Sequence, residues 1–225
     1  MSDARQRLRS ADLRRVYRRL RRRFGPAGWW PGQSALEVCL GAILTQNTSW
    51  VNVERALGEL RRRRLLSWRR LRDMPVSRLA RLVRSSGTYN VKARRLRAFL
   101  DFLGREYGGR VAAMAREERW RLRERLLAVD GIGPETADSI ALYGAGQPLF
   151  VVDAYTRRVF GRMGLLRGDE AYDEFQQAVM SCLRGDAALY NDYHAQLVRL
   201  GKEHCRSRPR CATCPLDDLC EKRGV

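Results

Sequence analysis

The chain has 225 residues, with 44 Lys or Arg against 25 Asp or Glu, a net charge of +19 and a pI near 10.8. That length allows one large or two small domains with real cores, and the charge points to nucleic acid or another polyanion, unless it reflects an Arg-rich proteome. No run approaches a membrane span and no apolar signal core opens the chain, so no membrane association is expected. Lys92, Lys202 and Lys222 are the only lysines, leaving 41 arginines. Arginine is a good phosphate fork but cannot form a Schiff base.

In chain order, residues 5–23 carry ten arginines, yet Leu13, Val16, Tyr17, Leu20 and Phe24 recur at helical spacing. A helix is expected from about Ala11, capped by Ser10. Its basic face suits a solvated surface and a DNA contact equally. Residues 25–32 form a break containing Trp29-Trp30-Pro31. Ser34 and Glu37 read as a capping box opening an apolar helix to about Thr45. Gln46-Asn-Thr-Ser-Trp50 is a polar loop, and a second helix runs from about Val51 to Arg63. Pro75 opens a helix that stops near Gly87, Thr88-Tyr-Asn90 is a turn, and Lys92 to Phe102 is amphipathic. Trp120 to Leu127 leads into Val129-Asp-Gly-Ile-Gly-Pro134, a helix end, a tight turn and a new helix. Gly131 and Gly133 permit unusual backbone angles and close approach, and Pro134 suits a first helical turn. The N–H groups of such a turn suit a phosphate. Helices follow at about Glu135–Tyr143, Ala154–Met163, Ala171–Leu183 and Leu189–Leu200. Leu149 to Val152 is the only β-like run and is too short for a sheet, so the class is all-α.

Six cysteines are present, four of them between Cys205 and Cys220. Cys205, Cys211, Cys214 and Cys220 follow the spacing C-x5-C-x2-C-x5-C. Clustered thiols without a signal sequence read as a metal site in a reducing cytoplasm. Four thiolates suit a zinc ion or an iron–sulfur cube, and two long arms around one close pair favour the larger object, [4Fe–4S], over zinc. Arg206, Arg208 and Arg210 lie on the first arm, where they suit phosphates. Cys39 and Cys182 read as buried core thiols.

Taken together, Gly131-Ile-Gly-Pro-Glu-Thr-Ala-Asp138, Asp153 in Val-Asp-Ala-Tyr-Thr, Gln46 in Leu-Thr-Gln-Asn, Tyr89-Asn-Val-Lys-Ala93 and the C-terminal cysteines resemble the endonuclease III family of base-excision DNA glycosylases, in the helix-hairpin-helix superfamily. The resemblance spans about residues 30–220. It implies a bilobal fold: a six-helix barrel at 34–149 with the helix-hairpin-helix at about 122–143, and a second lobe of 1–33 and 150–225 with the cluster loop at 205–220. It implies double-stranded DNA as partner, a flipped damaged base, and a prokaryotic cytoplasmic, nucleoid-associated monomer. Trp29-Trp30-Pro31 and the run Gly41 to Thr48 look like the 3-methyladenine glycosylase branch, where aromatic residues stack on a cationic alkylpurine. Plugging a seam would explain the tryptophans equally well.

On this reading Asp153 is the catalytic carboxylate, a role compatible with capping a helix. Gly131 and Gly133 hold a phosphate, Gln46 and Thr88 meet the duplex, and Gln46 fills the gap left by the flipped base. Trp29, Trp30 and Glu135 belong to the base pocket. Tyr143 and His194 read as packing residues. Two departures stand out. Glu135 occupies the position of the lysine with which bifunctional relatives form a Schiff base, which argues for a monofunctional glycosylase with weak or absent AP lyase activity, and the tryptophan pair leans it to alkylated purines. The first cysteine arm has five residues where the family more often has six. The alternatives are a glycosylase with AP lyase activity on oxidised pyrimidines and a non-catalytic iron–sulfur damage-binding protein.

Overall fold

The computed structural model describes residues 8–27 and 30–225, and among these there are twelve α-helices and no strand. In order they are α1 Ser10–Phe24, α2 Ala35–Leu44, α3 Trp50–Arg62, α4 Trp68–Arg72, α5 Val76–Leu82, α6 Tyr89–Tyr107, α7 Val111–Met114, α8 Arg119–Leu127, α9 Pro134–Ser139, α10 Ala154–Met163, α11 Tyr172–Cys182 and α12 Ala187–Glu203. No described helix is long and apolar enough to cross a membrane. The chain divides into two compact units: a discontinuous one of Met1–Trp29 with Pro148–Val225, and a continuous one of Trp30–Gln147.

The continuous unit is built around α2. Every residue from Glu37 to Leu44 is buried, as expected of a helix that is apolar nearly all round. Ser34 caps it by accepting from Glu37 N at 3.2 Å, while the Glu37 carboxylate accepts from Gln33 N at 3.0 Å instead of from the cap residue. Glu37 is 1% exposed and pairs with Arg61, so the charge is not left alone. Cys39, on the same helix, is a core thiol whose pKa burial pushes up to about 12.

Three sequence expectations shift here. The helix opened by Pro75 ends at Leu82, and a 3-10 turn at Arg84–Ser86 takes its place. The turn expected at residues 88–90 contracts onto Gly87 and Thr88, so α6 starts at Tyr89 and runs 19 residues. The helix after the hairpin becomes a π-helical turn at Ile140–Gly144. Gly144 packs there so closely on Cys39 that a Cβ would come within 2.5 Å of its sulfur. The short helices α4 and α7 carry too little periodicity to be read locally. Trp68 fixes α4 by donating to Leu100 O at 2.9 Å and lying against Gly104 and Gly109.

In the discontinuous unit, α1 buries Leu13, Val16 and Leu20 and exposes Arg14, Arg15, Arg18, Arg22 and Arg23. Tyr17 donates to Asp192 of α12 at 2.6 Å and Arg21 pairs with the same carboxylate at 2.9 Å. Leu149–Val152 is extended and fully buried. Side chains of α11 bind two of its backbone groups: Gln176 donates to Phe150 O at 2.7 Å, and Tyr172 OH accepts from Val152 N at 3.2 Å. Cys182 departs from the expectation of a core thiol: it is half-buried and lies 3.0 Å from Leu8 O.

Candidate functional site

The extended segment delivers Asp153 to the start of α10. Asp153 has extended backbone angles and its Oδ1 accepts from Thr156 N at 2.7 Å, the geometry of an N-cap. The other oxygen, Oδ2, lies 3.5 Å from Nε2 of His194 on α12. The Asp153 side chain keeps 14% exposure while His194 keeps 5%. Burial by itself pushes the Asp153 carboxyl up, but His194 facing it and the hydrogen bond from Thr156 N outweigh it and hold the group below the ordinary aspartate value. The result is a carboxylate kept ionised with little water around it. His194, expected to be a packing residue, is a direct partner of Asp153. Tyr190 and Tyr193 beside it on α12 pack edge-on against Phe150, fixing the segment that carries Asp153.

At its other end α10 holds the cysteine loop. Arg158 donates to Cys205 O at 2.7 Å, and Arg162 reaches Cys205 Sγ at 3.5 Å, Arg206 O at 2.5 Å and Ser207 O at 3.2 Å. Lys222 N donates to Cys220 Sγ at 3.4 Å. None of the four thiols is in a disulfide, and all four line one small cleft. Among the described residues no three His, Cys, Asp or Glu side chains are grouped closely enough to hold a metal ion as they stand. Four thiols facing one cleft, with N–H donors aimed at two sulfurs, are a donor set that suits an iron–sulfur cluster or zinc. Arg208 and Arg210 are exposed on the first arm.

In the continuous unit, α8 and α9 form the hairpin. Arg123 of α8 donates to Asp138 of α9 at 2.8 Å, and that carboxylate is fully buried. The two glycines of the turn have different reasons to be glycine. Gly131 has φ of +76°, and a Cβ there would strike the Arg95 side chain at 2.3 Å. Gly133 caps α9 with φ of −90°, open to any residue, and a Cβ there would meet nothing within 4 Å. Glu135 follows in the first turn and is exposed.

Gln46 is brought to this hairpin. Its Nε2 donates to Gly131 O at 3.0 Å and Thr136 Oγ1 at 2.9 Å, and its Oε1 accepts from Arg95. Thr88 is exposed and sits in the left-handed region at φ of +37°, strained for a β-branched residue. Lys92, 1% exposed, joins the two loops by donating to Leu44 O at 2.7 Å and Ser86 O at 2.5 Å. Burial first, and then the Arg95 charge, lower its pKa to about 8.

Trp30 lies against Gly41, with Trp50 edge-on at 5.1 Å and Tyr143 tilted at 5.1 Å. Trp50 and Tyr143 thus join an aromatic cluster in which the sequence had marked Trp30. Trp29 lies outside the described residues. Arg95, Trp50 and His194 had no local signal: each stands in an ordinary helical pattern, and only its partner across the fold distinguishes it.

The model of the HhH-GPD superfamily base excision DNA repair proteins matches residues 40–184. A protein of Methanocaldococcus jannaschii, provisionally described as a DNA repair glycosylase, is 40% identical over 208 residues, 92% of this chain and 94% of its own. A solved endonuclease III–DNA complex superposes with a TM-score of 0.80 over 96% of each chain, at 23% identity. The H. pylori 3-methyladenine DNA glycosylase bound to 1,N6-ethenoadenine superposes with a TM-score of 0.73 at 29% identity, over 87% of this chain and 98% of that one. The hairpin and the capping Asp153 fall inside the matched span, and the chain belongs to the HhH-GPD superfamily of base excision DNA repair proteins, as an endonuclease III-like DNA glycosylase.

Proposed function

We propose that this glycosylase binds duplex DNA and hydrolyses the N-glycosidic bond of an alkylated purine such as 3-methyladenine, leaving the strand intact. Asp153 carries the reading, as a carboxylate held ionised by His194 and Thr156 despite its burial. The bond breaks with its electron pair going to the base, and positive charge develops on the sugar. Asp153 stabilises that charge and orients the water that adds to the sugar carbon, whose proton is then lost. A cationic alkylpurine departs as a neutral base, so its departure requires no general acid. The indole faces of Trp30 and Trp50 suit such a cation, and the similarity to the 3-methyladenine glycosylase supports the same substrate class.

The hairpin holds a backbone phosphate through its N–H groups, a contact independent of sequence. Gly133 supports this, since nothing within the protein requires it to lack a side chain. Arg208, Arg210, Thr88 and Gln46 are further DNA-facing candidates. A lyase requires an accessible amine. Glu135 offers a carboxylate and Lys92 is buried on two carbonyls, while the exposed Lys202, at the end of α12, and Lys222, paired with Asp217 at 2.8 Å, both lie outside the hairpin. Cys205, Cys211, Cys214 and Cys220 would hold a [4Fe–4S] cluster, with zinc as the alternative. The cluster would cross-link the loop to itself, and Arg158 and Arg162 tie that loop to α10.

Single-turnover assays on duplexes with 3-methyladenine, thymine glycol, mismatched uracil or an abasic site test this. Release of the methylated base, with nicks only after alkali and no borohydride-trapped adduct, is expected. A trapped adduct with the wild-type protein would overturn the monofunctional reading. Activity confined to thymine glycol would overturn the substrate class, and no release from any lesion would favour a damage-binding protein. Glu135→Lys should gain a trapped adduct. Iron and acid-labile sulfide in equal amounts would support the cluster, and zinc alone would refute it.

A further inference from the structure

We infer that Arg95 is a positioning residue for the hairpin, acting through Gln46 and not by touching DNA. This rests on the reading of the hairpin as the phosphate anchor. Arg95 lies one helical turn beyond Lys92 on α6, and its stem occupies the space left by the missing Cβ of Gly131: an ideal Cβ there would come within 2.3 Å of Arg95 Cγ and 2.7 Å of Cδ. Its guanidinium donates to Gln46 Oε1, and Gln46 Nε2 donates to Gly131 O at 3.0 Å and Thr136 Oγ1 at 2.9 Å.

Donor and acceptor chemistry gives this chain of contacts a direction. Arginine can only donate, so it orders the Gln46 amide with oxygen toward Arg95 and nitrogen toward the hairpin. The two amide hydrogens then meet two acceptors, one on each side of the Gly-Ile-Gly turn. Pinning Gly131 O fixes the plane of the peptide that follows it, whose Ile132 N–H donates to Val129 O at 3.1 Å, and so holds the turn that presents Gly133 at the start of α9. In the absence of DNA Gln46 is thereby held on the hairpin, at the place from which the sequence reading has it meet the duplex.

Gln46→Glu acts on the two ends of this network in opposite ways. That change keeps the size of the side chain and strengthens its pairing with Arg95. It also removes both donors to the hairpin and sets a carboxylate against Gly131 O. Arg95→Met keeps the stem on Gly131 but releases Gln46.

The test is equilibrium binding of a duplex carrying a reduced abasic site, measured over a range of salt for the wild type, both single variants and the double variant. Thermal melts of each protein run alongside. Each single variant should bind roughly tenfold more weakly, the size expected for two lost hydrogen bonds. The salt slope should stay at the wild-type value, and the double variant should be no weaker than the weaker single. A slope smaller by about one in Arg95→Met would make Arg95 a direct phosphate contact and overturn the inference. Unchanged affinity in both single variants, or additive losses in the double variant, would also overturn it. If Arg95→Met does not fold, Gln46→Glu decides alone, since wild-type affinity in that variant would refute the coupling. A wild-type protein that bound no duplex would remove the anchor reading itself, which separates that failure from this one.

Discussion

Asp153 shows how one side chain can be both a cap and a reactive group. The cap bond to Thr156 N fixes one oxygen, and His194 faces the other. Because the folded carboxyl sits below its ordinary value, its ionisation stabilises the fold above the ordinary aspartate pKa, and that contribution is lost as pH falls through the depressed value. Removing His194 leaves Thr156 alone to oppose burial. His194→Ala should therefore move the acid limb of the pH–rate profile for base release to higher pH, and Asp153→Asn should lower the rate about 10²–10⁴-fold. An unmoved acid limb would dissociate His194 from Asp153. Lys92 gives the opposite sign. Its folded pKa is lowered from 10.5 to about 8, so between those values the unfolded chain holds more protons and stability rises with pH. The unfolding free energy from urea titrations across that window should rise for the wild type relative to Lys92→Met, by at most about 3 kcal/mol in total.

At the scale of elements, α10 is a strut. It is ten residues long, about 15 Å, with Asp153 capping one end and Arg158 and Arg162 holding the cysteine loop near the other. Tyr155 packs it closely on α12, where a Cβ on Gly201 would come within 2.3 Å of the ring. The hairpin is clamped differently, by a buried ion pair between its two helices. Taking away one partner leaves the other charge uncompensated, which costs about 3–5 kcal/mol. Arg123→Met should lower the denaturation midpoint accordingly, and Arg123→Met with Asp138→Leu should recover much of the loss. A near-neutral single variant would mean that the pair is solvated in solution. The hairpin's existence was legible from Gly131, Gly133 and Pro134. Its clamp was not, because Arg123 reads as one more arginine on a basic helix.

The whole molecule carries +19, and the exposed arginines of α1 and of the cysteine loop add a diffuse attraction for any polyanion. Affinity for undamaged duplex should fall on the order of a hundredfold or more between roughly 50 and 200 mM salt. The single-turnover rate at saturating protein should stay nearly constant over the same range, since release of the base depends on Asp153 and not on the diffuse field. A rate falling in step with affinity would show that the charge acts beyond binding.

The sequence by itself determined the all-α class, the hairpin, the cap at Asp153, the four-thiol loop and the carboxylate at Glu135. Each is written in neighbouring residues, through backbone angles, caps and spacing that act within a turn or two of chain. Only the tertiary structure decided that His194 faces Asp153, that Lys92 joins Leu44 to Ser86, and that Gln46 reaches Gly131 across 85 residues under the hold of Arg95. Those pairings depend on how each helix is rotated about its axis against its neighbours. That rotation is set by packing across the whole unit, and no local period in the sequence encodes it.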